Sequence, residues 1–135
     1  MAVRKKRLVM GFGTFDTVHP GHLFYLNELK RLGDELIVVI ARDSNVDKIK
    51  GRHPHLNEEA RRKAVLATGI PDQAVLGDER DFYKVVRDFS PSVLGFGYDQ
   101  EADIEGLKKL FPKIKMVRLE AHHPHKYKSS LIKGL

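Results

Sequence analysis

Apolar residues fall along this chain in short blocks whose spacing switches between strand-like runs and helical repeats. RLVMGF (7–12) reads as a buried strand. Pro20 to Leu32 then sets Leu23, Leu26 and Leu29 at helical spacing and stops at Gly33. ELIVVIA (35–41) is β-branched and apolar on both faces, as in a parallel sheet covered by helices. The polar stretch Arg42 to His55 reads as the loop that follows. Asn57 suits the cap of a helix over Glu58 to Thr68, and Glu58 and Glu59 suit its positive end. Ala74 to Leu76 is then a strand, Asp81 to Phe89 a helix, Ser92 to Phe96 a strand, Ala102 to Phe111 a helix and Lys115 to Leu119 a last strand.

Such alternation predicts an α/β protein: a single Rossmann-like, doubly wound domain over residues 1–135 with a five-stranded parallel sheet and right-handed crossovers. Ligands in these sheets bind beyond the carboxyl ends of the strands, where the strand order reverses. The loops after the first strand (GTFDTVHPGH, 13–22) and after the fourth (GYDQ, 97–100) are therefore expected to border one cleft.

Composition narrows the chemistry. No apolar run approaches the roughly 20 residues of a membrane helix, and the basic N-terminus lacks the apolar length of a signal peptide, so a cytoplasmic protein is expected. There is no cysteine, which removes disulfides, thiolate metal sites and cysteine nucleophiles. A net charge of +6 points to an anionic partner without choosing among nucleic acid, lipid and phosphorylated metabolites.

The first loop chooses. Gly11 and Gly13 begin a dinucleotide-like run, but its third glycine is missing. Further on, Pro20 suits a first helical turn, Gly21 permits close backbone approach, and a helix N-terminus favours phosphate. His19 and His22, three apart across that turn, can each donate a ring N–H to one phosphate chain. The plainer alternative has one histidine capping the helix and the other packed under the loop. A zinc site is poorer, for lack of a third ligand at useful spacing.

G-T-F-D-x-x-H-x-G-H resembles the signature of the nucleotidyltransferase superfamily that includes cytidylyltransferases, pantetheine-phosphate adenylyltransferase and FAD synthases. The resemblance implies that His19 and His22 bind the nucleoside triphosphate and stabilise transition-state charge, with Thr14, Phe15, Pro20 and Gly21 also on the nucleotide. GTFDTVHPGH, VVIARDSNV, KGRHP, EEARRKAV, LGDERDFYKVV and GFGYDQ together resemble the archaeal-type FAD synthases, which transfer AMP from ATP to FMN and release pyrophosphate. Mg²⁺ would accompany the ATP, and small members of the superfamily are commonly homodimers.

Other residues join the expected site. Lys48 and Lys50, in a basic cluster with Arg52, resemble family lysines that contact the acceptor's phosphate or the triphosphate; the alternative is a solvated basic loop. Arg61 resembles a phosphate-facing arginine, against a salt-bridged surface helix. Asp99 stands at the switch point as a ribose or base acceptor, against a simple helix cap. Ser129 and Ser130, followed by Ile132, resemble the family's second motif and would bring hydroxyls and N–H groups to the β- and γ-phosphates, with Tyr127 on the adenine side. His122, His123 and His125 are more ordinary as solvated residues than as metal ligands.

The runner-up is a glycerol-3-phosphate-type cytidylyltransferase using CTP. Gly69 stands where that group carries an arginine, and its tryptophan after the G-x-D loop is absent. A non-catalytic nucleotide sensor is a further alternative. Nucleic-acid binding is not expected, since the four tyrosines and seven phenylalanines fall largely in core segments rather than among basic residues.

Overall fold

The structure, a computed structural model, describes residues 6–50, 56–98, 100 and 102–120, with the backbone alone at 47–50. Five parallel strands, β1 (Leu8–Gly13), β2 (Glu35–Ile40), β3 (Gln73–Leu76), β4 (Val93–Phe96) and β5 (Lys115–Arg118), lie in the order β3-β2-β1-β4-β5. The helices are α1 (Pro20–Lys30), α2 (Asp43–Lys50), α3 (Glu58–Ala67), α4 (Lys84–Phe89) and α5 (Ile104–Leu110). No helix among the described residues is long and apolar enough to cross a membrane.

The expected α/β architecture is present, and its two cores follow from strand alternation. Val9, Leu36, Val38, Ile40 and Val93 face one layer with Leu26, Leu29 and Val65 of α1 and α3. Met10, Phe12, Ile37, Leu94 and Phe96 face the other, with Val85 and Val86 of α4 and Leu107 of α5. Leu29 is the tightest junction: a Cβ on Gly11 would lie 2.3 Å from its Cδ1, and one on Gly95 2.1 Å from its Cδ2. Gly11 is thus a packing glycine that lets α1 settle onto β1 and β4.

Three expectations are corrected in detail. Arg42–His55 is not wholly a loop, because α2 occupies Asp43–Lys50 and anchors itself with Val46, only 2% exposed. Leu23 is not part of the buried stripe of α1; it is 37% exposed, and Tyr25 packs inward with Leu26 and Leu29. Helix α4 starts later than expected because Asp81 caps a turn ahead of it, and α5 because Asp103 is its N-cap. Asp81 accepts the Tyr83 N–H at 3.0 Å, and Asp103 accepts the Gly106 N–H at 3.0 Å.

Strands β1 and β4 pair only at Val9↔Val93 and Met10↔Leu94, whereas β1 and β2 pair from Leu8↔Glu35 to Gly13↔Ile40. Beyond Met10 the central pair spreads apart. This is the point where the strand order reverses, and the cleft opens there.

Candidate active site

Side chains, not strands, hold the spread pair. Phe12 keeps a backbone N–H and C=O directed at the gap, and buried backbone groups must find partners. The Tyr25 hydroxyl accepts the Phe12 N–H at 3.1 Å and donates to the Gly95 carbonyl at 2.9 Å. Burial pushes the pKa of this phenol far above the usual tyrosine range, outweighing the opposing Phe12 hydrogen bond, so it stays neutral. One step further out, the Gln100 amide donates to the Phe12 carbonyl and accepts the Gly97 N–H, both at 2.7 Å. Arg118 holds the same turn by donating to the carbonyls of Gly97 (2.8 Å) and Gln100 (2.7 Å).

Above this gap lies a cleft of about 1370 Å³ bounded by the loops after β1, β2, β3 and β4. Both loops expected to border it do so: Thr14, Phe15, His19, Gly21 and His22 line one wall, and Gly97, Tyr98 and Gln100 another. Pro20 is the first residue of α1 beside that wall.

The histidine pair has a definite geometry. His19 is the N-cap of α1, and its Nδ1 accepts the Gly21 N–H at 3.1 Å; His22 Nδ1 accepts the His19 N–H at 3.3 Å. This is a capping box built from two imidazoles. Their rings stack with centroids 3.8 Å apart and planes 21° apart. Because Nδ1 is an acceptor in both, each neutral ring carries its proton on Nε2. The capping role, which the sequence set against phosphate binding, thus occupies Nδ1 in both rings.

Phe15 locks the loop from below. Its backbone is left-handed, with φ 55°, while its ring is 3% exposed and packs against His22 at 4.9 Å. A Cβ at Gly13 would lie 2.4 Å from that ring. A bulky residue at positive φ costs on the order of 1–3 kcal/mol, held here by ring burial.

Arg61 departs from expectation. It is not phosphate-facing but 0% exposed, and its guanidinium donates to Leu56 O (3.0 Å), Thr14 O (2.8 Å) and the Asp43 carboxylate (2.6 Å). A charge can be buried only when paired and hydrogen-bonded, and these three acceptors meet that requirement. Arg61 thereby ties the first loop to the start of α2. Nor does its neighbour form the expected pair with Glu58: Arg62 binds Glu59 through Nε at 2.6 Å, and Glu58 pairs with Arg42 at 2.9 Å.

Lys48 and Lys50 fall on the last turn of α2, where only the backbone is described. Asp99, Tyr127, Ser129 and Ser130 lie outside the described residues, as do His122, His123 and His125. The sequence reading missed Arg42, Asn45, Arg80 and Phe82, all of which line the cleft. The signal was available, since Arg42 follows β2 and Gly77–Phe82 follows β3, and cleft residues gather at carboxyl ends of strands.

Comparison with known proteins agrees with this geometry. Residues 10–134 match the family model described as cytidylyltransferase-like. The FAD synthase of Aciduliprofundum boonei is 45% identical over 84% of this chain and 78% of its own. That of Archaeoglobus profundus is 42% identical over 90% and 80%. A crystal structure titled lipopolysaccharide core biosynthesis protein, from Thermoplasma volcanium, superposes with a TM-score of 0.83 at 37% identity, covering 88% of this chain and all of that one. Pantoate-beta-alanine ligase from Francisella tularensis shares the fold alone, at a TM-score of 0.63 and 17% identity over 90% of this chain and 62% of its own. With a family match across nearly its whole length and relatives above 40% identity, this chain belongs to the cytidylyltransferase-like family, alongside the archaeal FAD synthases.

Proposed function

We propose that this protein transfers AMP from ATP to FMN, forming FAD and pyrophosphate. The observation that carries the reading is the stacked His19–His22 pair at the N-terminus of α1, with both Nδ1 atoms engaged in capping. The relatives named FAD synthase supply the substrates.

In this reaction an oxygen of the FMN phosphate attacks the α-phosphorus of ATP, and the bond from that phosphorus to the bridging oxygen of the β-phosphate breaks. Pyrophosphate leaves with the bonding electrons. No covalent enzyme intermediate is needed, so the protein's task is alignment and stabilisation of charge. His19 and His22 donate Nε2–H bonds to the reacting phosphate chain, reinforced by the positive end of α1. Thr14, Phe15, Pro20 and Gly21 form the adjoining wall. Arg61 acts at one remove, by fixing the Thr14 carbonyl.

Lys48 and Lys50, on the last turn of α2, are assigned to the acceptor's phosphate or to the triphosphate. Asp99, Tyr127, Ser129 and Ser130 are assigned to the nucleotide. Mg²⁺ would supply charge neutralisation on ATP's own phosphates. Among the described residues there is no group of three or more His, Asp or Glu that could hold a metal ion. A homodimer in the cytoplasm completes the reading.

The test is pyrophosphate release with ATP and CTP crossed against FMN, glycerol 3-phosphate and phosphocholine, with product masses recorded. FAD from ATP and FMN alone is the expected result. A CDP-linked product would make the protein a cytidylyltransferase, and ATP binding without turnover in any pairing would make it a sensor.

A further inference from the structure

A second, smaller hollow of about 300 Å³ opens beside the main cleft on the α4–α5 side of the sheet. The two share Phe12, Phe82 and Gln100, so they communicate. The histidines approach the cleft from the α1 side, which leaves this hollow as a separate recess for another part of a substrate.

Its wall is aromatic and rigid. Phe82 stands at the junction, 46% exposed, with its ring centroid 5.1 Å from Phe12 and 5.5 Å from Tyr83. Phe12 in turn lies parallel to Phe96, 5.7 Å away with planes 10° apart. An exposed phenylalanine forfeits apolar burial, and here it is backed by rings that hold it in place. Phe96 and Leu107 close the floor and Ala102 one side.

The polar groups of the recess are mostly committed. Both ends of the Gln100 amide serve the backbone of Phe12 and Gly97, and Asp103 caps α5 through Gly106. The Tyr83 hydroxyl and the second carboxylate oxygen of Asp103 are the other polar groups among the recess's described side chains. Adenine or cytosine would bring a hydrogen-bonding edge with more groups than these can answer, at a desolvation penalty. A broad flat ring with an apolar edge incurs no such penalty.

We propose that this recess receives the dimethylbenzene edge of the isoalloxazine ring, with Phe82 as its stacking face. The assignment rests on FMN being the acceptor, and it makes Phe82 a specificity-determining residue for flavin over phosphorylated acceptors without a ring. Phe12 and Phe96 act as its backing. Ala102 sets the depth available to the two methyl groups.

The test uses the full chain and the variants Phe82→Ala, Phe82→Leu and Ala102→Phe, each first matched to wild type by melting temperature. FMN fluorescence is titrated with protein, and FAD formation is followed with FMN and ATP varied in turn. Wild type should quench the flavin and Phe82→Ala should quench it less. KM for FMN should rise about tenfold in Phe82→Ala, the scale of one lost ring-stacking contact, and also in Ala102→Phe, with Phe82→Leu between. KM for ATP should stay within about twofold. FAD formed with an unchanged KM for FMN in both Phe82→Ala and Ala102→Phe would overturn the recess assignment alone. A rise confined to ATP would place a base there instead. Failure of wild type to make FAD at any FMN concentration would overturn the acceptor reading itself, before any variant is compared.

Discussion

His19 and His22 are each assigned two tasks with one ring, one seen in the structure and one proposed. The Nδ1 atoms close the capping box of α1, and the Nε2–H groups are the donors the proposed chemistry needs. The two roles separate by substitution. Asparagine at position 19 keeps an acceptor for the Gly21 N–H and is among the best N-caps, but it has no counterpart of Nε2. His19→Asn should therefore melt close to wild type yet lose kcat by about 10²–10³, as when one charge-stabilising donor is removed from a preformed site. Calorimetry and steady-state kinetics on the same preparation would check this. His22→Ala should show a similar loss in kcat with a smaller change in KM; near wild-type turnover would remove the residue from the mechanism. This pair was legible in sequence because its geometry is local, within four residues and one helical turn. Arg61 was not, because its burial depends on Asp43 and on a helix that residues 43–50, DSNVDKIK, conceal behind six polar positions.

At the scale of elements, the hardest features to foresee were the hydrogen bonds that replace a ladder. Tyr25 and Gln100 meet partners 70 and 88 residues away, Gly95 and Phe12, and no periodicity encodes such a meeting. In sequence, Tyr25 lies between Leu23 and Leu26, so a leucine-only stripe passed over it. Tyr25→Phe keeps the ring and strips the hydroxyl, leaving the Phe12 N–H and the Gly95 carbonyl buried without that partner. We expect a loss of about 1–3 kcal/mol. Urea unfolding should show this as a lower midpoint at unchanged slope, because the surface exposed on unfolding is the same. The strands themselves were readable to within a residue or two. The starts of α4 and α5 were less so, because Asp81 caps a turn ahead of α4 and Asp103 is the N-cap of α5.

For the whole molecule, the alternation of elements was enough to foresee a parallel sheet and the two loops that bound its cleft. The order β3-β2-β1-β4-β5 was not, since nothing local records which strand lies beside which. Connections between strands are held by acidic residues that resist protonation. Asp72 is lowered by its bond from Lys30, at 2.5 Å, and by the Leu36 N–H; Asp78 is lowered by the N–H groups of Arg80 and Asp81. Asp81 is lowered by Arg87. Each folded carboxyl thus binds its proton less readily than in the unfolded chain, so its contribution is present above the usual carboxylate range of about 4 and fades as pH falls through the lower folded value. Stability measured by urea should decline below about pH 4. In Asp72→Asn the decline should be shallower.

The Tyr25 and Gln100 bridges bear on how a substrate is received. A crevice formed by prying two paired strands apart would have to break their hydrogen bonds each time a ligand entered. Here the Phe12 backbone is satisfied by side chains across the gap, so the spread of the strands leaves neither its N–H nor its carbonyl without a partner. Reorganisation is largely completed when the chain folds, and the affinity of an incoming nucleotide is not diminished by having to open its own site.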